Sequence, residues 1–241
     1  MKDSKNVTQM SKRNNEFPVV HLISEPNNAL KTIYLACRTC YSADYPVNIW
    51  EKDISQEAML KLVKKVLQSG HHSTIEHCQY VFTISGVSRA CTHQLVRHRH
   101  MSFSQKSQRY VTEEGPFEYI TPSTIINAGL TEDYDKMMQD ISAFYGKMIE
   151  KGIPAEDARF VLPNATTSTL VASLNLREMI HLANLRLCVN AQHEIRKLVD
   201  KMCKLIVENE PWLKEYLVPK CEKNGFCDEI KSCGRHPQKK G

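Results

Sequence analysis

Helical and strand-like hydrophobic patterns follow one another irregularly along this chain, and that order restricts its fold. Alternating apolar residues predict strands over 17–23 and 80–84, and a Thr- and Val-rich run predicts another over 166–174. Helical spacing predicts helices over 27–40, 55–69, 131–151, 175–188 and 191–209. Because there is no regular strand–helix–strand rhythm, the sequence favours the α+β class over a doubly wound parallel sheet.

The longest predicted helix covers 131–151 and ends before Gly152. Its spacing places on the buried side Met137, Ile141, Phe144, Met148 and Ile149. Ser55 and Ser88 are predicted N-caps of two other helices, because a serine hydroxyl accepts a hydrogen bond from a free backbone N–H. The tail beyond Pro219 is basic and contains glycine, so we expect it to be irregular.

Composition indicates a folded protein that suits anionic ligands. Hydrophobic residues make up 41% of the 241 residues, enough for a core, and the net charge of +5 fits an anionic small substrate or nucleic acid. No apolar run approaches the roughly 20 residues of a membrane helix. Residues 1–17 lack the apolar core of a signal peptide, so we expect a cytoplasmic protein with no membrane partner and free thiols.

Segment 97–110 concentrates anion-binding capacity. It holds three arginines, two histidines and three serines in fourteen residues. Guanidinium groups and hydroxyls can surround an anion with hydrogen-bond donors. The interleaved Ser, Gln and Phe suit directed hydrogen bonds better than counterion release, although a solvated basic loop or a nucleic-acid patch is an alternative.

Two other polar clusters leave their roles open. Segment 71–77 holds three histidines and a glutamate but no HExxH motif, so a ligand-contact loop or a capped turn is favoured over a metal site. Arg177, His181 and Asn184 share one helical face, with Arg186 just beyond. That face is either simply exposed or binds an anion or a planar ring.

The cysteines raise the question of zinc. Cys37 and Cys40 form one pair, and the tail adds Cys221, Cys227, Cys233 and His236. A structural zinc site needs four ligands, usually from close pairs, whereas the tail cysteines are separated by five residues each time. The sequence therefore predicts no metal site, with zinc as an alternative, and Cys188 is predicted to be a core thiol.

Four motifs in consistent order resemble the flavin-dependent thymidylate synthase family. The family signature is Arg-His-Arg, seven residues and then Ser, which here is Arg97-His98-Arg99 followed by Ser107. Segment 73–77 resembles the family's histidine-rich loop, and segment 88–96 resembles the helix before the signature. The C-terminal motifs are matched at 159–163, 175–178 and 184–186, so the resemblance spans about residues 17 to 215.

This resemblance implies reductive methylation of dUMP to dTMP. In the family, 5,10-methylenetetrahydrofolate supplies the carbon, NADPH reduces a bound FAD, and no covalent enzyme–nucleotide bond forms. The implied assembly is a homotetramer with active sites shared between subunits, each subunit a single domain with an antiparallel sheet flanked by helices. We therefore expect a flexible leader (1–16), a synthase domain (17–218) and a basic cysteine-containing tail (219–241), with no nucleic-acid partner.

The resemblance also assigns roles by position. Arg186 is expected to be catalytic, because a cation at the N3–O2 edge of uracil stabilises the negative charge that develops there. Arg186 also belongs to the positions that match dUMP contacts, together with Gln94, Arg97, Gln105, Lys106, Ser107, Gln108, Arg109 and Arg159. The positions that match FAD contacts are His71, Ser73, Glu76, Arg97, His98, Arg99, Gln105, Asn175, Arg177 and His181.

Two other functions compete with this one. A flavoprotein acting on a different nucleotide would use similar residues. A nucleic-acid-binding protein using segment 97–109 would need more Lys and Arg and more aromatic platforms than the 7% aromatic content and the balance of 32 basic against 27 acidic residues supply.

Overall fold

Four strands form one antiparallel sheet in this computed structural model, which describes residues 17–112 and 115–239. The strands are β1 (Val19–Ser24), β2 (Gln79–Ser88), β3 (Met101–Gln105) and β4 (Thr167–Asn175). Their order in the sheet is β1-β2-β4-β3. The predicted α+β class is confirmed, and the predicted leader 1–16 lies outside the described residues.

Helices occupy most of the chain between and after the strands. In chain order they are α1 (Ala29–Thr39), α2 (Pro46–Glu51), α3 (Gln56–Gln68), α4 (Arg89–Leu95), α5 (Ser123–Asn127), α6 (Thr131–Glu150), α7 (Ala155–Ala158), α8 (Leu176–Arg186), α9 (His193–Asn209) and α10 (Lys220–Asn224). Short 3₁₀ helices cover His72–His77, Arg159–Val161 and Pro211–Glu215. Among the described residues, no helix is both long enough and apolar enough to cross a bilayer.

Side-chain caps fix the starts of several helices. The predicted caps are confirmed: the Ser55 hydroxyl accepts a hydrogen bond from the backbone N–H of Ala58, and the Ser88 hydroxyl accepts one from Cys91. Asn175 caps α8 in the same way through the N–H of Glu178. These bonds satisfy backbone donors that a helix start leaves free, so the helix boundaries follow from local sequence.

The chain divides into two compact units, and one boundary falls inside each of the four strands. Of the described residues, the first unit holds 17–20, 83–97, 103–112 and 115–171, and the second holds 21–82, 98–102 and 172–239. Tyr145 and Leu95 are buried in the first unit. The core of the second unit includes the apolar face of α9. Its fully buried residues have the predicted helical spacing and are Ile195, Leu198, Val199, Met202 and Ile206.

The structure corrects two expectations and adds one strand. On α6, Met137 and Phe144 are 60% and 52% exposed, while the next residues, Met138 and Tyr145, are buried; the core face lies one residue further on than predicted. Segment 97–110, for which no strand was predicted, contains β3 at residues 101–105. The tail is not irregular throughout, because it contains α10 and a parallel bridge between Cys227 and Gln238.

Gly86 is a position where we expect a side chain to be strongly destabilising. Its φ is 69°, and a Cβ atom added there would lie 2.1 Å from Cδ1 of Phe17. We predict that Gly86→Ala lowers the free energy of unfolding by about 2–5 kcal/mol, combining the left-handed backbone cost with overpacking.

Gly152→Ala is the matched control for this substitution. Its φ of 80° is similar, but no described atom lies within 4 Å of the added Cβ, so we expect only the backbone cost of about 1–2 kcal/mol. Urea unfolding curves of the two variants measure the difference. Equal losses of stability would show that Phe17 does not pack on Gly86 in solution.

Candidate active site

A buried hydrogen-bonded chain in the second unit links Glu178, His98 and Arg186. Oε1 of Glu178 lies 3.2 Å from Nδ1 of His98, and Nε of Arg186 donates to Nε2 of His98 at 3.1 Å. Glu178 and His98 are 5% and 6% exposed. Because a guanidinium can only donate, Nε2 must be the unprotonated nitrogen, and Nδ1–H therefore donates to the carboxylate. The geometry fixes one neutral tautomer of His98.

The electrostatics of His98 agree with that protonation state. Burial lowers the pKa of His98 below its ordinary value of 6.5, and the Arg186 charge lowers it further, while the Glu178 carboxylate opposes both. A lowered pKa in the folded state means that the stability from neutral His98 is present above pH 6.5 and is lost progressively as the pH falls below it. At neutral pH, His98 therefore acts as an acceptor that holds the Arg186 guanidinium in place.

The sequence patterns did not single out Glu178, although a signal for it was present. It lies among the buried residues Leu176, Met179 and Leu182 of α8, where a carboxylate needs a partner. That partner, His98, is 80 residues away along the chain. A glutamate among the apolar residues of one helix was thus the sequence feature that indicated a polar contact with a residue far along the chain.

A metal ion would fit poorly at this point. His98, Glu178 and His181 each offer one ligand atom, and these atoms lie within 4.8 Å of one another. However, both ring nitrogens of His98 are already hydrogen-bonded, and the Arg186 cation next to Nε2 would repel a second cation. The arrangement is better suited to positioning Arg186.

Other predicted cofactor residues lie at the start of α8 and on the 3₁₀ helix His72–His77 of the same unit. Arg177 forms an ion pair with Glu76, with NH1 and Oε1 2.5 Å apart. The N–H of Leu176 donates to the carbonyl oxygen of Cys78 at 2.8 Å and ties the two elements together. Four further predicted cofactor residues are exposed, namely His71, Ser73, Arg99 and His181. A fifth, Asn175, caps α8. Exposed cations and polar donors of this kind suit a pyrophosphate and a flat ring.

The first unit contains a cleft of about 340 Å³ with two arginines in its lining. Arg159 and Gln108, both predicted substrate residues, face it together with Arg89 and His93, which were not predicted. Burial lowers the pKa of Arg89, and the charge of Arg159 lowers it further. Two guanidinium groups that repel each other in one cleft are stabilised by an anion placed between them, so the cleft is suited to a phosphate. In the sequence, Arg89 was marked only by its position directly after Ser88, the cap of α4.

The other predicted substrate residues of this unit do not line the cleft. The Arg109 guanidinium pairs with Glu156, with Nε and Oε2 2.5 Å apart, and lies 5.1 Å from the Tyr110 ring centroid. The Gln105 amide donates to the hydroxyl of Ser168. Backbone and side-chain bonds within the unit also involve Gln94, Lys106 and Ser107, while Arg97 is exposed. Substrate contact by these residues stays a prediction.

Comparison with known proteins finds one family that matches most of this chain. The family model for thymidylate synthase complementing protein matches residues 21–212. The flavin-dependent thymidylate synthase of Nitratidesulfovibrio vulgaris is 40% identical over 235 residues, covering 91% of this chain and 96% of its own. That of Pyrococcus abyssi is 38% identical over 220 residues, covering 87% and 89%.

A solved structure shares the fold. It is a UMP/dUMP methylase, PolB, from Streptomyces cacaoi bound with 5-Br dUMP. Its TM-score to this chain is 0.70 at 21% sequence identity, and the match covers 86% of this chain and 93% of that one. At this identity the likeness concerns the fold alone.

Proposed function

This chain belongs to the thymidylate synthase complementing protein family, and from that premise we propose that it methylates dUMP to dTMP as a flavin-dependent thymidylate synthase. The observation that carries the proposal is the arginine held by a neutral, buried histidine: Arg186 on His98, which is backed in turn by Glu178. An enzyme that activates uracil needs a fixed cation where charge develops, and this chain supplies one.

Arg186 would act on the uracil ring. Carbon 5 of the ring must gain electron density before it attacks the one-carbon unit, and negative charge then develops at the N3–O2 edge. The Nε–H of Arg186 is taken by His98, which leaves the NH₂ groups of the guanidinium to donate to that edge. Because His98 and Glu178 fix the guanidinium before substrate arrives, little reorganisation is needed during the reaction.

FAD is the cofactor in this proposal, and the donor set of the second unit fits it. Arg99, Arg177 and His181 offer charge and hydrogen bonds at the surface, with His71 and Ser73 on the 3₁₀ side. Bound FAD would supply the hydride after reduction by NADPH, and 5,10-methylenetetrahydrofolate would supply the carbon. The chain's own part is to hold and orient these groups.

The arginine-lined cleft of the first unit would bind the 5′-phosphate of dUMP. Arg89 and Arg159 supply the charge, and Gln108 and His93 supply further polar contacts. We also propose a homotetramer with active sites shared between subunits, so the cleft and Arg186 of one chain need not serve the same nucleotide. Residues 17–218 form the synthase domain of this proposal, and the cytoplasm is the expected location.

Removing Arg89 is expected to weaken binding of the nucleotide phosphate. Loss of one charge-assisted hydrogen-bond donor costs about 1.5–3 kcal/mol, so Arg89→Ala should raise the KM for dUMP by about 10- to 100-fold with little change in kcat. Steady-state kinetics measure both constants. Lys136→Ala, an exposed cation on α6 of the same unit, is the control.

Deoxyuridine, which has no phosphate, separates this effect from a general loss of activity. The advantage of dUMP over deoxyuridine should shrink in Arg89→Ala and persist in Lys136→Ala. An unchanged ratio of the two substrates in Arg89→Ala would remove Arg89 from phosphate binding.

Product analysis tests the proposed reaction itself. Purified protein is incubated with dUMP, FAD, NADPH and 5,10-methylenetetrahydrofolate, and nucleotides are separated by chromatography. We expect dTMP only when all components are present. Turnover of UMP with none of dUMP would favour a flavoprotein with a different nucleotide substrate, and the proposal would then be wrong.

A further inference from the structure

A second cleft, of about 170 Å³, brings together four of the nine cysteines. Cys188 follows α8, and Cys221, Cys227 and Cys233 come from the tail; all four line the cleft in the second unit, together with His236. Cys188 was predicted to be a core thiol, but it is only partly buried and faces this cleft. The convergence was hidden in the sequence because Cys188 is 33 residues before Cys221.

Four cysteine thiols lining one cleft form the donor set of a structural zinc site. Thiolates bound to a metal ion are stabilised in their deprotonated form. All four cysteines are free thiols.

The tail has a defined path but very little core. Within residues 220–239, Cys227 is the one buried residue, and Ile230 is 95% exposed. The path is set by backbone bonds: the N–H of Cys227 donates to Pro237 and that of Lys239 donates to Cys227, both at 2.8 Å. Short segments that bury little apolar surface usually depend on a disulfide or a metal for stability.

We propose that Cys188, Cys221, Cys227 and Cys233 bind one Zn²⁺ ion that fastens the tail to the end of α8. Four thiolates complete the tetrahedral shell of a structural zinc site, and soft sulfur donors select zinc over magnesium or calcium. The site would carry a net charge of about −2 on formal counting. Lys220 and Arg235 also line the cleft, where they form ion pairs with Asp228 and Glu222.

Binding of Zn²⁺ would require the four cysteine sulfur atoms to move closer together. In the part of the chain that the structure describes, three ligand atoms lie within 4.8 Å of one another only at His98, Glu178 and His181. Rotation of the cysteine side chains would therefore accompany metal binding. Cys233 lines the cleft and is exposed, so packing does not fix its rotamer.

Metal analysis of the purified full-length chain, prepared without chelators, tests the site. We expect about one zinc per chain, and a loss of most of it in Cys221→Ser and Cys227→Ser. Cys40→Ser, an exposed cysteine outside the cleft, and His236→Ala should keep the wild-type content. Iron in place of zinc, or equal zinc in wild type and Cys221→Ser, would overturn the proposal.

A second measurement on the wild-type chain guards against variants that fail to fold. After exchange of the metal for Co²⁺, we expect tetrahedral ligand-field bands and sulfur-to-cobalt charge transfer, and faster proteolysis of the tail when a chelator is added. No such bands, or an intact mass that reveals a disulfide among these cysteines in the purified protein, would contradict the zinc site. Both readouts are independent of dUMP turnover.

Discussion

Arg186→Ala is expected to lower the rate of dTMP formation by about 100- to 1,000-fold while FAD stays bound. The substitution removes the one cation that His98 holds through its Nε2 atom, so the charge developing on uracil loses a fixed partner. Arg186→Lys keeps a positive charge but cannot reproduce the planar fork of donors, so we expect it to recover only a small part of the rate.

Single-turnover rates and flavin content are the measurements for these variants. Arg196→Ala is the control, because Arg196 lies on α9 of the same unit and donates to the carbonyl oxygen of Val189 instead. Its rate should match that of wild type. If Arg186→Ala forms dTMP as fast as wild type does, Arg186 is not the catalytic cation.

Glu178→Gln is expected to lower kcat by about 10- to 100-fold, because a poorly fixed His98 leaves Arg186 misplaced. Glu178 is a positioning residue in this account, since it touches His98 and not the substrate. Glu178→Leu should be worse folded as well, because it leaves the buried Nδ1–H of His98 without a partner at a cost of about 1–3 kcal/mol.

The pH profile separates positioning from a merely structural effect. His98 must be neutral to accept from Arg186, so activity should fall as the pH drops below the ordinary histidine value of 6.5 and through the lowered pKa of His98. The Glu178 carboxylate raises that pKa, so Glu178→Gln should move the acidic limb of kcat to lower pH. The control is Glu194→Gln, at another buried glutamate of the same unit, which should leave the acidic limb of kcat unchanged. If the acidic limb also stays in place in Glu178→Gln, Glu178 does not position His98.

Local patterns sufficed for much of the fold because they reflect local forces. Helix starts at Ser55 and Ser88 follow from capping, and the face of α9 follows from its apolar spacing. Strand β3 was missed because serines and charged residues surround its two apolar residues, Met101 and Phe103. The buried face of α6 was misplaced because apolar residues lie on two neighbouring faces, and packing partners decide between them.

The resemblance singled out segment 97–110 and α8, and their roles in binding stay a prediction. Contacts between residues that are distant along the chain were missed. The pairing of Glu178 with His98, and the shared cleft of Arg89 and Arg159, depend on tertiary packing that no local periodicity records. The cysteine cleft is similar, because a spacing of five residues gives no indication that Cys188 joins the tail.

The most direct test of the central claim, flavin-dependent methylation of dUMP by this chain, is the visible absorption spectrum under anaerobic conditions. NADPH with dUMP present should bleach the flavin bands, and adding 5,10-methylenetetrahydrofolate should restore them while about one dTMP forms per flavin. A protein without flavin bands even after FAD is added, or bands that return without dTMP, would contradict the account.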